Sequence, residues 1–341
     1  VPRFCRHGRF IERCPICRET VPGLEPVKSQ GGARGGRRKA DAPERPAGGT
    51  RSARKGVRIY SDGTLRGQDD GYRGELVPGL RNSADAMRLA EEIAFAAGRL
   101  AVLDASPPGL YAEMQQQISR EQAAWMCFLT AYLSPLQGED PFAGIREALA
   151  ACEQACERGG EGDAGIPSPE ALPSLDGIPL GPRTSHDPAR GGETLRAYLH
   201  WAQRSGSQAQ ALAGDPHWSE ERRFQRLFER LALPGLGRMG RYDMLVTLGH
   251  LRLYELRADS LHFADTGGDL ATPAAKRLFG IGDPLILERR AALLARAAVV
   301  PLQALDLALA NWGTGERATV GVPADVSDAA VLERAQNALE L

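Results

Sequence analysis

Apolar positions along this chain recur at helical rather than strand spacing. Ala86, Leu89, Ala90, Ile93, Ala94 and Ala97 share one face behind a cap at Asn82 or Ser83, and predict a helix reaching about Leu103. Ser119 to Gln122 forms a capping box, in which a serine hydroxyl and the glutamine three residues on satisfy each other's backbone amides. The segment behind it, AAWMCFLTAYL, is almost continuously apolar and predicts a buried central helix that Pro135 stops. Further helices are expected at 141–157, 193–204, 207–213, 218–232, 238–249, 272–279, 284–297 and 301–312. Residues 158–192, rich in Gly, Pro, Ser and Asp, read as a long irregular connection. No alternating run of comparable length and no fixed-period repeat is present, so the expected fold class is mainly α.

The pattern changes upstream of residue 57. Residues 27–56 are rich in Gly, Pro, Ser and Arg without apolar periodicity, and predict a basic flexible linker; VRIYSDGTLRG after it suggests a small hairpin around Ser61, Asp62 and Gly63. The expected organisation is a 1–26 knuckle, a 27–56 linker and a helical domain over 57–341. Charge divides the same way. Residues 1–60 carry 15 Lys and Arg against 5 Asp and Glu, the remainder 27 against 38, although the net charge is only -1. A basic arm on a mildly acidic body suits an anionic polymer such as DNA, because each neutralised phosphate releases counterions. A solvated leader that only aids solubility accounts for the same charge. No stretch has the apolar length of a membrane span, so no membrane partner and a cytoplasmic location are expected.

Cys5, His7, Cys14 and Cys17 form a C-x-H-x6-C-x2-C arrangement. Zinc takes four soft or borderline donors in a tetrahedron, and two close pairs across a short loop supply them from a segment too small for a core of its own. The expectation is a structural Zn2+ with no open coordination position. Cys127, Cys152 and Cys156 are scattered, and the last two read as small buried residues rather than a second metal site.

The segment ERRFQRLFERLALPGLGRMGRYDMLVTLG reads as helix, glycine hairpin, helix, with Leu233, Pro234, Gly235, Leu236 and Gly237 at the bend. Glycines let the backbone turn tightly and approach a ligand, and the first amides of the second helix suit a phosphate oxygen. Arg238 and Arg241 stand in that helix's first turn, which the helix dipole disfavours unless an anion is near. LPGLGR resembles the helix-hairpin-helix of DNA glycosylases, which grips the DNA backbone while an adjacent pocket takes an extruded base. That resemblance implies a catalytic aspartate a short distance beyond the hairpin, where Asp259 stands in LRADSLHF; Asp265 and Asp243 are its rivals. Met239 falls near where some members carry an attacking lysine, so lyase chemistry through a Schiff base is not expected. The absence of cysteine in the C-terminal half removes the iron-sulfur cluster of other members.

Between Gln122 and Gly313 the chain also resembles the alpha-glutamyl/putrescinyl thymine pyrophosphorylase group, through AAWMCFLTAYLSPLQGEDPFAGI, GRYDMLVTLG, TPAAKRLFGIGD and LQALDLALANWG. This resemblance implies a helical fold acting on a base in DNA, with Lys276 and Arg277 as phosphate contacts. The implied function is excision of an extruded base, or a transfer that modifies it, with Asp259 stabilising charge at the nucleotide. A noncatalytic DNA-binding protein that keeps the hairpin is the alternative. His186 and Asp187, in GPRTSHDPARGG, form a further candidate in a loop; Trp125, Trp201, Trp218 and Trp312 are expected in the core.

Overall fold

The computed structural model describes residues 68–341 except 117, 118, 160, 161, 164 and 265. The knuckle, the linker and the proposed hairpin around Ser61 to Gly63 lie outside the described residues, as does Asp265. All described residues belong to one unit, Tyr60–Leu341.

The mainly α expectation holds. Helix α1 (Ser83–Ala105) starts where Asn82 accepts hydrogen bonds from the amides of Ala84 and Asp85, satisfying two otherwise open donors. Helix α3 (Arg120–Leu133) has both halves of its capping box in place at Ser119 and Gln122. Its apolar run is buried along the whole length, and Phe128 stacks on Tyr198 with ring centroids 3.8 Å apart and planes at 6°. Helices α4 (Ala143–Gly159), α5 (Glu193–Gln203), α6 (Gln208–Ala213) and α7 (Glu220–Arg230) follow. Then come α8 (Arg238–His250), α9 (Ala271–Phe279), α10 (Pro284–Ala298) and α11 (Ala304–Thr314). The only strand pairing among the described residues joins Gly162–Asp163 to Ile166–Pro167, inside the expected irregular connection.

Two helices differ from the sequence expectation. Helix α2 (Leu110–Gln116) has seven residues behind Pro107, Pro108 and Gly109, too few for a periodicity. Helix α12 (Ala329–Ala338) buries only Val331 and Ala335, so its apolar stripe is faint; Asp328 caps it at the amides of Ala330 and Val331. The layers are set by packing of α1 on α11 and α12, α9 on α11, and α3 on α8, with α7 beside α8. The central pair α3 and α8 thus carries the hairpin on a buried scaffold. Trp125, Trp201 and Trp312 are buried as expected, while Trp218 is half-buried under the guanidinium of Arg230. Cys152 is buried and Cys156 half-buried. No helix among the described residues is long and apolar enough to cross a membrane.

Candidate nucleic-acid interface

The predicted hairpin forms between α7 and α8. Leu233 and Leu236 close it, the Leu236 amide donating to the Leu233 carbonyl at 3.1 Å, and Leu236 is buried while Pro234 is exposed. Gly235 has φ +76°, and a Cβ there would lie 2.0 Å from Thr194 Oγ1. Glycine is therefore required twice over, by backbone conformation and by space. Gly237 caps α8 without a side-chain hydrogen bond. The Arg241 amide turns back to the Gly237 carbonyl at 3.2 Å, but the amides of Arg238, Met239 and Gly240 meet no acceptor among the described residues. The three residues themselves are buried. The loop Pro182–Arg190 lies over this turn: a Cβ on Gly240 would sit 2.6 Å from Ser185 Oγ, and one on Gly235 would sit 3.3 Å from Arg190 Cδ.

Arg238 departs from the sequence expectation. Its side chain is fully buried, directed into the protein rather than at a phosphate. One nitrogen donates to the Leu261 carbonyl at 2.6 Å, and the other reaches Asp269 at 2.9 Å and Asp306 at 2.5 Å. Asp306 in turn meets Arg183 at 2.9 Å, and Arg183 grips Asp243 through two bonds of 3.0 Å. Asp243, Arg183, Asp306, Arg238 and Asp269 thus form one alternating chain of charges. Asp243 pairs with Arg183 rather than with Arg238, and sits inside this chain instead of facing a substrate. Burial alone would raise the Asp306 carboxyl, yet Arg238 and Arg183 outweigh it and hold it below the usual carboxylate range. At Asp243 burial prevails over Arg183, and the carboxyl is raised. The network ties loop Pro182–Arg190, the first turn of α8, α11 and the approach to α9 into one block beneath the hairpin. An aspartate inside the apolar run LQALDLALANWG was the one legible signal for it; Arg183 and Asp269 had none.

Arg241 is half-buried and clasps the hairpin. It donates to the Phe228 carbonyl at 2.9 Å, and its guanidinium carbon lies 4.3 Å from the Phe228 ring centroid. His262 stacks on the same ring at 4.1 Å, a contact the sequence did not announce. Burial lowers the His262 imidazole from 6.5 to about 4, with Asp259 pulling the other way and Arg238 and Arg241 reinforcing the drop. Asp259 is exposed, three residues before His262, and makes no hydrogen bond or ion pair among the described residues.

Lys276 and Arg277 stand half-buried in the last turn of α9, where a cation complements the helix dipole. Arg277 is turned toward α11, donating to the Gly313 carbonyl at 3.0 Å and lying 5.0 Å from the Trp312 ring centroid. The structure therefore gathers Pro234, Gly235, Leu236, Gly237 and Arg241 at the hairpin, with Asp259 three residues before the His262 that stacks, as Arg241 does, on Phe228. It does not gather Arg238, which is internal. His186 is buried rather than solvated: the Tyr132 hydroxyl lies 2.8 Å from its Nδ1, and burial lowers its imidazole despite Asp187 and Asp176. Asp187 caps the short 3-10 turn Pro188–Arg190.

Comparison with protein-family models, curated proteins and solved structures gives no match to this chain.

The histidines predict a pH dependence. Folded-state values of His186, His250 and His262 all lie below the unfolded value, through burial. The unfolded chain then binds more protons between the two values, so stability is present above pH 6.5 and falls as the pH drops toward about 4, the value for His262. Chemical denaturation at a series of pH values should show this decline, shallower in His262→Asn. Asparagine tolerates the φ of +53° at this position. Equal slopes in the two proteins would remove His262 from the effect.

Proposed function

We propose that this protein binds DNA through the hairpin Leu233 to Gly237 and acts on an extruded base, by glycosylase-like excision or by a transfer that modifies the base. The observation that carries this reading is the run of acceptor-free amides at Arg238, Met239 and Gly240 behind a glycine bend. Acceptor-free donors at the positive end of a helix favour an oxyanion, and a phosphate of the DNA backbone supplies one. Arg241 adds positive charge beside the bend, Arg190 being shared with Asp187 and Glu193, while Arg238 acts from within by holding the first turn of α8 in place. Asp259, exposed beyond the hairpin, would stabilise positive charge on the sugar as the base leaves, or orient an incoming nucleophile. Arg277 serves α11 in the first instance, and a phosphate contact from it or from Lys276 is a secondary part of the reading.

Incubation with duplexes carrying modified thymines, uracil or alkylated bases, followed by assay for abasic sites and nucleoside mass, tests the activity. Product should fall about a hundredfold in Asp259→Asn with duplex affinity retained. Full activity in that variant removes Asp259 from the mechanism. A second reading, DNA binding without chemistry, is favoured by the exposure of Asp259, since a catalytic carboxylate is usually tuned by partial burial. Absence of product across the panel, with duplex binding that weakens steeply with salt, would select it.

The zinc knuckle remains part of the proposal on its ligand spacing, with Cys5, His7, Cys14 and Cys17 holding one Zn2+ and the basic arm adding affinity for DNA. Metal analysis of the purified chain is expected to find one equivalent of zinc, lost in Cys14→Ser. Metal-free protein purified without chelator would reject the assignment.

A further inference from the structure

The far end of α8 from the hairpin borders a cleft of about 710 Å³, within the range of small-molecule sites. Arg120, Arg223, Arg252, Glu220, Glu255 and Tyr254 line it. Its charges do not balance locally. Glu255 is held by Arg223 at 3.0 Å, and Glu220, at 3.5 Å, shares Arg257 with Glu221. Arg120 and Arg252 have no carboxylate partner among the described residues, so the uncommitted charge in the cleft is positive. Arg120 lies 5.9 Å from the centroid of the Tyr254 ring. Tyr254 is 7% exposed, and neither its covered hydroxyl nor the Nε of buried Arg223 has a hydrogen-bond partner among the described residues.

Backbone conformation supplies a separate indication. Helix α8 ends in a double turn-back, the Leu253 amide on the Leu248 carbonyl at 3.1 Å and the Arg252 amide on the Gly249 carbonyl at 2.9 Å. The residue just past the cap in this motif adopts left-handed φ and is usually glycine. Here it is Arg252, at φ +56°. A strained conformation held by a charged residue at the rim of a cleft is a pointer to function. Arg223 keeps the walls in register, bonding the carbonyls of Glu255, Asp215 and Trp218.

We propose that this cleft binds a small oxyanion, a phosphate- or carboxylate-bearing group, between Arg120 and Arg252. The proposal is independent of the hairpin reading, because it concerns the opposite end of α8 and is tested with small anions in the absence of DNA. Calorimetric titration of the full chain in phosphate-free buffer uses inorganic phosphate, citrate and a short single-stranded oligonucleotide in separate arms. One-site binding is expected, weaker by about tenfold or more in Arg252→Gly and in Arg120→Ala. Arg252→Gly places the favoured residue at the left-handed position, so the fold is kept, which a thermal melt checks. A role for Arg252 confined to complementing the helix dipole would leave the titrations unchanged in that variant. Response to phosphate or citrate assigns a small-molecule source. Response to the oligonucleotide alone, with the same dependence on Arg252, assigns the oxyanion to a nucleic-acid backbone. No binding in any arm, or equal binding by wild type and Arg252→Gly, overturns the proposal.

Discussion

Replacing Arg238 by methionine is expected to lower the free energy of unfolding by about 3–5 kcal/mol, the usual cost of removing one partner from a buried ion pair. The residue is fully buried between Asp306 and Asp269, and removing its charge leaves a carboxylate with less compensation in a region where water does not reach. Arg183 would still hold Asp306, so the heavier loss falls on Asp269 and on the Leu261 carbonyl that Arg238 also serves. Urea denaturation monitored by circular dichroism measures the change. Arg238→Lys should recover only part of it, since one ammonium cannot span two carboxylates and a carbonyl with fork geometry. A change below about 1 kcal/mol would mean the buried network is not formed, and would return Arg238 to the surface as a phosphate contact.

Gly235→Val is expected to cost about 3 kcal/mol or more, by adding strain at positive φ to a collision. A Cβ at this position meets Thr194 Oγ1 at 2.0 Å, and a β-branched residue is a poor fit to φ +76°. Because the hairpin sits between α7 and α8, displacement there should move the acceptor-free amides of α8 as well, so duplex affinity should fall along with stability. Thr194→Ala in the Gly235→Val background removes the hydroxyl from the collision and leaves the backbone term. Partial recovery in the double variant is therefore the diagnostic result. A Gly235→Val protein with wild-type stability would show that the bend has another conformation.

Sequence periodicity carried much of the helical framework. The α3 capping box, the cap at Asn82 or Ser83 and the break at Pro135 were legible because they rest on contacts within one turn of chain. Helices α2 and α12 were not, since one is shorter than a recognisable period and the other presents two buried residues. The hairpin was also legible, because Gly235 and Gly237 announce a bend that most residues resist. Arg238 shows where such reading ends. Its position in the first turn of α8 pointed outward to an anion, whereas its partners Asp269 and Asp306 lie 31 and 68 residues away in sequence. Local spacing contains nothing about either.

His186 gives the same lesson with the opposite sign. Glycine and proline around it suggested an open loop, yet the loop folds back on α3, with the His186 amide on the Tyr132 carbonyl at 3.2 Å. Arg252 and Tyr254 had no motif at all, and became a pair only when α3, α7 and the end of α8 enclosed a cleft around them.

By itself, then, the sequence determined the helical class, the helix starts and stops set by caps and prolines, the glycine bend, and the separation of a basic arm from an acidic body. Tertiary structure alone decided which arginines face inward, which carboxylates they meet and where uncommitted charge collects. The reason is one of range. Helices and turns are selected by interactions over a few residues, whereas the burial and pairing of a charge depend on what distant segments bring to it.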